Sequence, residues 1–456
     1  MDANLKYDLT EGSILQKLVR ISAPLIGTQF LQMTYNLTDM FWLGQINANA
    51  VASVGTAGMY VWLSFAFLII GRMGAEIGVS QNMGRKDPQA AQAFAQNAIF
   101  LALIAGILFG LLIHLFRHPL IAIFAIQEAH VAYDAATYLG IVAFGMPAVF
   151  LSSAITGIFS GVGKSRTPFV TNGIGITLNM ILTPLLIFRF DFGLVGAAWA
   201  TVIAQTVVVI LALLAVRHLT VRPFPDLRLF VQPEPQRIAQ IFRWTLPVTI
   251  ESAAFTMLAM VVGRFVAAFG ADALAVQRVG LQLESFSWMI AMGFSSALTS
   301  FMGQNYGRGS WSRIHQGTKL AMRAMVLWGL VIMAIPWLFG YQMMSLFFSD
   351  EAIITEGVRF LRIHSICQVF ICLEYWAAGI FRGLGKTIPP SVSSIIGNIL
   401  RIPLAYFLSR TALGVAGLWW AIALGAALRS VILVIWFSAY VRRLPREDVP
   451  AESATS

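Results

Sequence analysis

The sequence has little charge: only 11% of its 456 residues are Asp, Glu, Lys or Arg, whereas 58% are hydrophobic. A soluble globular domain carries about 25% charged residues, so this composition excludes an ordinary water-soluble protein. The net charge of +10 does not indicate nucleic-acid binding, because the basic residues lie in short segments between apolar runs and not on one basic domain. The chain is therefore predicted to be an integral membrane protein with no nucleic-acid partner.

Cysteine and histidine are also scarce. The two cysteines, Cys367 and Cys372, lie inside one apolar run, which excludes a disulfide framework and argues against a metal cluster. None of the six histidines forms a pair of the kind that a membrane-embedded catalytic site would need. We therefore expect no enzymatic activity, no catalytic residues, no metal site and no bound cofactor.

Twelve apolar runs are long enough to cross a bilayer, which takes roughly 20 helical residues. They lie near residues 21–43, 51–80, 94–116, 135–160, 168–188, 194–216, 239–266, 273–302, 318–342, 355–381, 390–409 and 414–440. Lys and Arg cluster at alternate connections, beginning with Arg85 and Lys86, while the intervening connections carry few basic residues. The positive-inside rule therefore predicts two cytoplasmic termini. The expected location is the plasma (inner) membrane of a prokaryote.

The second half of the chain repeats the first. The matching pairs are Pro24 with Pro247, residues 81–85 with 304–308, residues 157–165 with 379–387, and residues 193–200 with 414–421. Each half has an even number of spans, so both begin on the same side of the membrane. The predicted fold is all-α, with twelve transmembrane helices in two six-helix lobes related by a pseudo-two-fold axis along the membrane normal.

The predicted boundaries follow the longest polar interruption, which is rich in Arg and Pro. In chain order we expect an N-lobe at 1–218, a cytoplasmic linker at 219–238, a C-lobe at 239–441 and a cytoplasmic tail at 442–456. The N-lobe holds spans 1–6 and the C-lobe holds spans 7–12. We expect a monomer in contact with membrane lipids.

Residues 157–165 and 379–387 resemble phosphate-binding P-loops without matching them. A P-loop has four residues between its first Gly and the Gly-Lys-Ser/Thr, whereas both segments have five. We interpret them as cytoplasmic turns, in which glycines allow tight packing and Lys164 and Lys386 face the phospholipid surface.

A polar stripe in the first span carries the main candidate site. Gln29, Gln32, Asn36 and Asp39 recur at steps of three and four residues, which places them on one helix face. A charge at the bilayer centre costs on the order of 2.5–3.5 kcal/mol, so the stripe faces either other helices, as a hydrogen-bonded seam, or a water-filled cavity. Burial disfavours the charged form of a carboxylate. We therefore hypothesise that Asp39 takes up a proton from one side and releases it to the other.

Other residues inside the spans have open interpretations. Glu251 follows Pro247 by one turn and either lines a cavity or makes a contact within the bundle. Glu374 and Arg401 are expected to pair across helices. Four methionines form either a pliable wall for varied ligands or part of the core: Met33, Met40, Met257 and Met260.

The sequence resembles the multidrug and toxic compound extrusion (MATE) family over essentially its whole length. The motifs that carry the resemblance are residues 11–14 (EGSI), Pro24, Asp39 followed by Gly44, the repeated Gln-Asn-x-Gly-Arg, and the doubled Gly-Ile-Phe-x-Gly-x-Gly-Lys. The resemblance implies two six-helix lobes that form a V open to one side. It also implies export of cationic or amphipathic drugs in exchange for protons or sodium.

The resemblance also implies roles for particular residues. Asp39 matches the first-span Asp that is the proton site of one branch, and Asn179 and Thr201 match residues that assist it. The family often has an Asp before the proline of the fifth span, where this chain has Thr183 before Pro184.

The sodium-linked branch of the family resembles this chain less. Its acidic residues fall at Phe255 and Ile371, with Glu251 and Glu374 about one helical turn away. We therefore expect a proton-coupled multidrug antiporter of the DNA-damage-inducible (DinF-like) branch, with small drug-like substrates. The alternatives are sodium-coupled antiport and a flippase for lipid-linked oligosaccharide. The expected cavity residues are Gln32, Asn36, Met33, Met40, Thr183, Glu251, Met257 and Glu374.

Overall fold

The computed structural model describes residues 8–124, 126, 128–218, 224, 227, 232–445 and 448, and over these residues the chain is helical without β-strands. The α-helices are α1 (Ile14–Ile46), α2 (Ala48–Gly84), α3 (Pro88–Leu115), α4 (Arg117–Ala122), α5 (Ala129–Val142), α6 (Met146–Val162), α7 (Arg166–Pro184), α8 (Gly193–His218), α9 (Pro235–Ala267), α10 (Ala271–Arg308), α11 (Trp311–Ser345), α12 (Glu351–Ile366), α13 (Gln368–Gly383), α14 (Ile388–Leu408) and α15 (Val415–Val441). A 3₁₀ turn at Ala143–Gly145 joins α5 to α6, and a π-helical turn at Leu185–Arg189 follows α7.

Each of the twelve predicted spans corresponds to one long helical run. The pairs α5–α6 and α12–α13 each form a single run, and α4 is a short connecting helix. Among the described residues, ten runs are long and apolar enough to cross a membrane by length and composition. The other two, α1 and α10, have 33 and 38 residues but are more polar, because α1 carries the stripe that ends at Asp39 and α10 carries Arg278 and Glu284.

The chain divides into two compact units. The first unit holds the described residues up to Gly12 together with Val19–Thr249, and the second holds Ser13–Leu18 together with the described residues from Ile250 onwards. The division lies inside α9, close to Pro247. Of the predicted linker and tail, residues 219–223, 225, 226, 228–231, 446, 447 and 449–456 lie outside the described part of the chain.

The beginning of α9 packs within the first unit. Ile241 sits against Gly74 of α2, where an added Cβ would lie 2.6 Å from the Ile241 Cγ2 atom. Trp244 stacks on Phe94 of α3, with ring centroids 5.6 Å apart. Burial of these large side chains explains why the first unit extends beyond the polar interruption that the sequence offers as a boundary.

The repeated glycine motif brings helices into close contact in both units. An added Cβ on Gly157 of α6 would collide with the carbonyl oxygen of Arg72 on α2, and one on Gly379 of α13 would lie 2.6 Å from the carbonyl oxygen of Ser295 on α10. The two contacts occupy equivalent positions of the repeat. Tight helix packing through these glycines, as the sequence predicted, is confirmed.

The turns that follow these helices differ in their lysines. Gly163 and Gly385 have φ angles of 87° and 71°, in the left-handed region where glycine is favoured. Lys386 is exposed, as expected, but Lys164 is only 6% exposed. The prediction that Lys164 faces the phospholipid surface is therefore wrong, because the turn folds this side chain inwards. Burial lowers the pKa of Lys164 to about 8.

Candidate functional site

A hydrogen-bonded cluster of hydroxyl and amide groups joins α1, α5, α7 and α8 in the first unit. The Thr201 hydroxyl lies 3.3 Å from the Tyr35 hydroxyl and accepts from Nδ2 of Asn179 at 3.4 Å. The hydroxyl of Tyr138 also lies close to the Thr201 hydroxyl. Thr183 donates to Oδ1 of Asn179 at 3.1 Å. We call these five residues the hydroxyl cluster.

Asp39 lies beside the hydroxyl cluster. It follows Tyr35 by one helical turn on α1 and is within electrostatic range of the hydroxyls of Tyr35 and Tyr138. Its Oδ1 atom is buried and has no hydrogen-bond partner among the described residues. A buried carboxylate oxygen without a donor is costly to leave unpaired, so this atom is a place where a proton or a cation can bind.

A cavity adjoins the hydroxyl cluster. It is lined by Gln32 and Tyr35 of α1, by Asn172, Gly175, Ile176 and Asn179 of α7, and by Ala204, Gln205 and Val208 of α8. Gln32 also donates to Oδ1 of Asn36 at 3.3 Å, which links two members of the polar stripe. Met33 is buried, whereas Met40 is 58% exposed. Gln32 and Asn179 therefore line one cavity, and Thr183 and Thr201 are linked to it through their hydrogen bonds with Asn179.

The predicted acidic residues of the second half lie in the second unit. Glu374 of α13 pairs with Arg429 of α15, with Oε2 and Nε 2.8 Å apart. The expected pair between Glu374 and Arg401 is therefore wrong. Glu251 of α9 lies within electrostatic range of Glu374, and its Oε2 is buried without a partner among the described residues. Met257 is 70% exposed.

The sequence prediction missed Tyr35 and Tyr138 as members of the cluster. Tyr35 carries a usable signal, because it precedes Asp39 by four residues and so shares its helix face. Tyr138 carries no such signal in the sequence, because only the packing of α5 brings it close to Thr201. Arg429 was missed for the same reason.

A family model with the description MatE matches the chain twice, over residues 24–185 and 247–407. The two matches begin at Pro24 and Pro247 and follow the internal repeat. Together they span well over half of the chain. The chain belongs to the MatE family. Its membership makes it a multidrug efflux transporter, and not an enzyme.

Relatives of this MatE chain match along nearly its whole length. The probable multidrug resistance protein NorM of Thermotoga maritima is 28% identical over 435 residues, which are 93% of this chain and 92% of that protein. The multidrug export protein MepA of Staphylococcus aureus is 20% identical over 426 residues, 92% of this chain and 93% of that protein. A crystal structure of MATE in the bent conformation has a TM-score of 0.90 at 20% identity and covers 97% of this chain and 98% of that one. The predicted family and the all-α membrane fold are confirmed.

Proposed function

We propose that this MatE chain exports organic cations and amphipathic drugs in exchange for protons, with Asp39 as the coupling residue. The observation that supports this most is the buried Oδ1 of Asp39, which has no donor among the described residues and lies beside the hydroxyl cluster, where Tyr35 also lines a cavity. In such a place the free energy of the ionised carboxylate depends strongly on what binds to it.

The coupling follows from competition at one carboxylate. Ionised Asp39 attracts a cationic drug, and a proton that binds Asp39 removes this attraction and releases the drug. Tyr35 and Thr201 lie close enough to exchange hydrogen bonds when Asp39 changes its charge, because each hydroxyl both donates and accepts. Proton binding on the outer side and proton loss on the inner side then drive export, since each ligand lowers the affinity of the other.

Two features favour protons over sodium. The positions where the resemblance places the acidic residues of the sodium-linked branch are Phe255 and Ile371, whose side chains offer no oxygen ligand. Glu374, about one turn from Ile371, is engaged by Arg429 at 2.8 Å. A sodium ion that bound Glu374 would have to displace Arg429.

The test is ethidium efflux from proteoliposomes that are given either a pH gradient alone or a sodium gradient alone. We expect the pH gradient to drive efflux by the wild type and not by the Asp39→Asn variant, which keeps the shape of the side chain but removes its titration. Asp191→Asn is the matched control, because Asp191 is exposed in a loop at φ 57°, a conformation that Asn tolerates. Undiminished efflux by Asp39→Asn would overturn the proposal, and efflux driven by sodium alone would favour the sodium-coupled alternative.

The proposed orientation in the inner membrane places both termini and the turn at Lys386 in the cytoplasm. Lys386 is exposed, and the two native cysteines, Cys367 and Cys372, are buried. A Lys386→Cys variant should therefore react with a membrane-impermeant maleimide in inside-out vesicles and not in intact cells. Labelling in intact cells would contradict this orientation and indicate the reverse one.

The proposed monomer is tested by the mass of the purified protein in detergent.

A further inference from the structure

The second unit repeats a close helix contact that lies beside the cavity of the first unit. Gly175 of α7 and Gly397 of α14 are equivalent in the repeat, 222 residues apart. An added Cβ on Gly175 would collide with Val208 of α8, and one on Gly397 would lie 2.6 Å from Cβ of Arg429 on α15. In both units, therefore, a glycine at this position lets the fifth helix of the repeat approach the sixth.

The side chains at two equivalent positions of the repeat differ in charge between the units. The spacing that relates Gly175 to Gly397 places Arg401 at the position of Asn179, which lines the cavity of the first unit. The spacing of the opening prolines places Val262 at the position of Asp39. The first unit thus has a carboxylate and an amide where the second unit has an apolar side chain and a guanidinium.

Arg401 is a buried cation without a compensating charge among the residues that the structure describes. Its side chain is 93% enclosed, since Arg401 is 7% exposed, and its Nε and Nη2 atoms have no hydrogen-bond partner in the described part of the chain. The described charged group that acts most strongly on Arg401 is another cation, Arg429. Arg429 is itself paired with Glu374. An unpaired buried charge costs several kcal/mol, whereas an anion bound to it would recover that free energy.

The base of the Arg401 side chain is packed against a neighbouring helix, and a partly exposed aromatic ring lies near its guanidinium. Its Cβ and Cγ atoms pack on Gly425 of α15, where an added Cβ would lie 3.1 and 3.5 Å from them. These contacts hold the base of the side chain against α15. The guanidinium carbon lies 5.9 Å from the ring centroid of Phe255 on α9, and Phe255 is 44% exposed. Phe255 occupies the repeat position of Gln32, which lines the cavity of the first unit.

We propose that Arg401 and Phe255 form a binding site in the second unit for the anionic group of an amphipathic compound. The planar guanidinium donates to a carboxylate, sulfonate or phosphate oxygen, and the exposed ring of Phe255 holds the apolar body of the ligand. The site is separate from Asp39 and does not depend on proton coupling. With this site, the range of compounds that the chain binds includes anions and zwitterions as well as cations.

The test compares two dye ligands that differ in charge. Dansylglycine carries a carboxylate, and dansylamide has the same ring system without it. Binding to the full-length protein is measured by fluorescence anisotropy in phosphatidylcholine nanodiscs. We expect the wild type to bind dansylglycine about tenfold more tightly than dansylamide, and Arg401→Gln to bind both with similar affinity. Arg401→Lys should keep part of the preference, and Phe255→Ala should weaken the binding of both dyes.

The controls separate charge recognition from folding. Arg410→Gln removes an exposed arginine of the same region and should keep the full preference for dansylglycine. Arg401→Gln should melt at the same temperature as the wild type or higher, because the substitution removes an uncompensated buried charge. The site is refuted if the wild type does not prefer dansylglycine, or if Arg401→Gln keeps the preference.

One further arm identifies the source of the anion. Part of the phosphatidylcholine is replaced by phosphatidylglycerol, and dansylglycine binding is measured again. If the anionic lipid weakens binding to the wild type more than to Arg401→Gln, a lipid headgroup competes for Arg401. If both proteins respond equally, the site takes soluble anions. Either result upholds an anion site, and neither depends on the role of Asp39.

Discussion

Thr183 precedes the proline that ends α7, at a position where the family often has an Asp. Its hydroxyl donates to Oδ1 of Asn179 at 3.1 Å. An ionised Asp could not make this bond, because a carboxylate accepts hydrogen bonds and does not donate them. Thr183 therefore keeps the hydroxyl cluster neutral. The charge beside the cluster is that of Asp39, so the proposed coupling rests on one titrating group and not on a pair.

Lys164 gives a prediction at the residue scale for stability against pH. Burial lowers its pKa in the folded chain from the ordinary 10.5 to about 8. The unfolded state therefore binds more protons between these values, and stability rises with pH across this window. We expect the melting temperature of the wild type, relative to Lys164→Gln, to increase from pH 8 to about pH 10. Below pH 8 Lys164 is charged in both states, and the free-energy cost of burying its charge is present in full.

Thermal unfolding in detergent at a series of pH values provides the measurement. The exposed counterpart supplies the control, as Lys386→Gln makes the same chemical change in the second unit. A relative melting temperature of the wild type that falls with pH over this window would contradict the buried position of Lys164.

At the scale of elements, the glycines of the repeated motif decide how closely the helices pack. An added Cβ on Gly157 would collide with the carbonyl oxygen of Arg72, so the replacement Gly157→Ala forces α6 away from α2. Overpacking of this kind costs about 1–3 kcal/mol. We expect Gly157→Ala to lower the melting temperature clearly. Gly58→Ala is the control, because an added Cβ on this α2 residue meets nothing within 4 Å.

The same change can be made in the other half of the repeat. Gly379→Ala should destabilise the second unit in a similar way, since its Cβ would lie 2.6 Å from the Ser295 carbonyl oxygen. Equal melting temperatures of the Gly157→Ala, Gly379→Ala and Gly58→Ala variants would mean that these contacts do not set the packing.

The sequence predicted the helices well and their rotation poorly. Length and apolarity are properties of the chain itself, so all twelve runs and the repeat could be read from it. The ion-pair partner of Glu374 could not be predicted from the sequence. The choice between Arg401 and Arg429 depends on which faces of α14 and α15 turn towards α13. A polar pattern within one helix shows its polar face, but not which neighbouring helix that face contacts. The place of Tyr138 in the hydroxyl cluster was hidden for the same reason.

At the scale of the whole molecule, the two halves share their packing and differ in their polar groups. Glycines recur where any side chain would collide, as at Gly157 and Gly379. Other positions that line the cavity of the first unit differ between the halves, as where Asn179 is matched by Arg401. A duplicated scaffold thus carries two different chemistries, which we propose are proton and cation binding in the first unit and anion binding in the second.

The central claim is that a proton and a cationic drug compete for Asp39. Proton release on addition of tetraphenylphosphonium to the purified protein tests it directly, with a pH indicator in weakly buffered solution. We predict that the wild type and Asp191→Asn release up to about one proton per bound cation, and that Asp39→Asn releases none. Equal proton release by Asp39→Asn and the wild type, or cation binding by the wild type without proton release over the whole pH range, would contradict the claim.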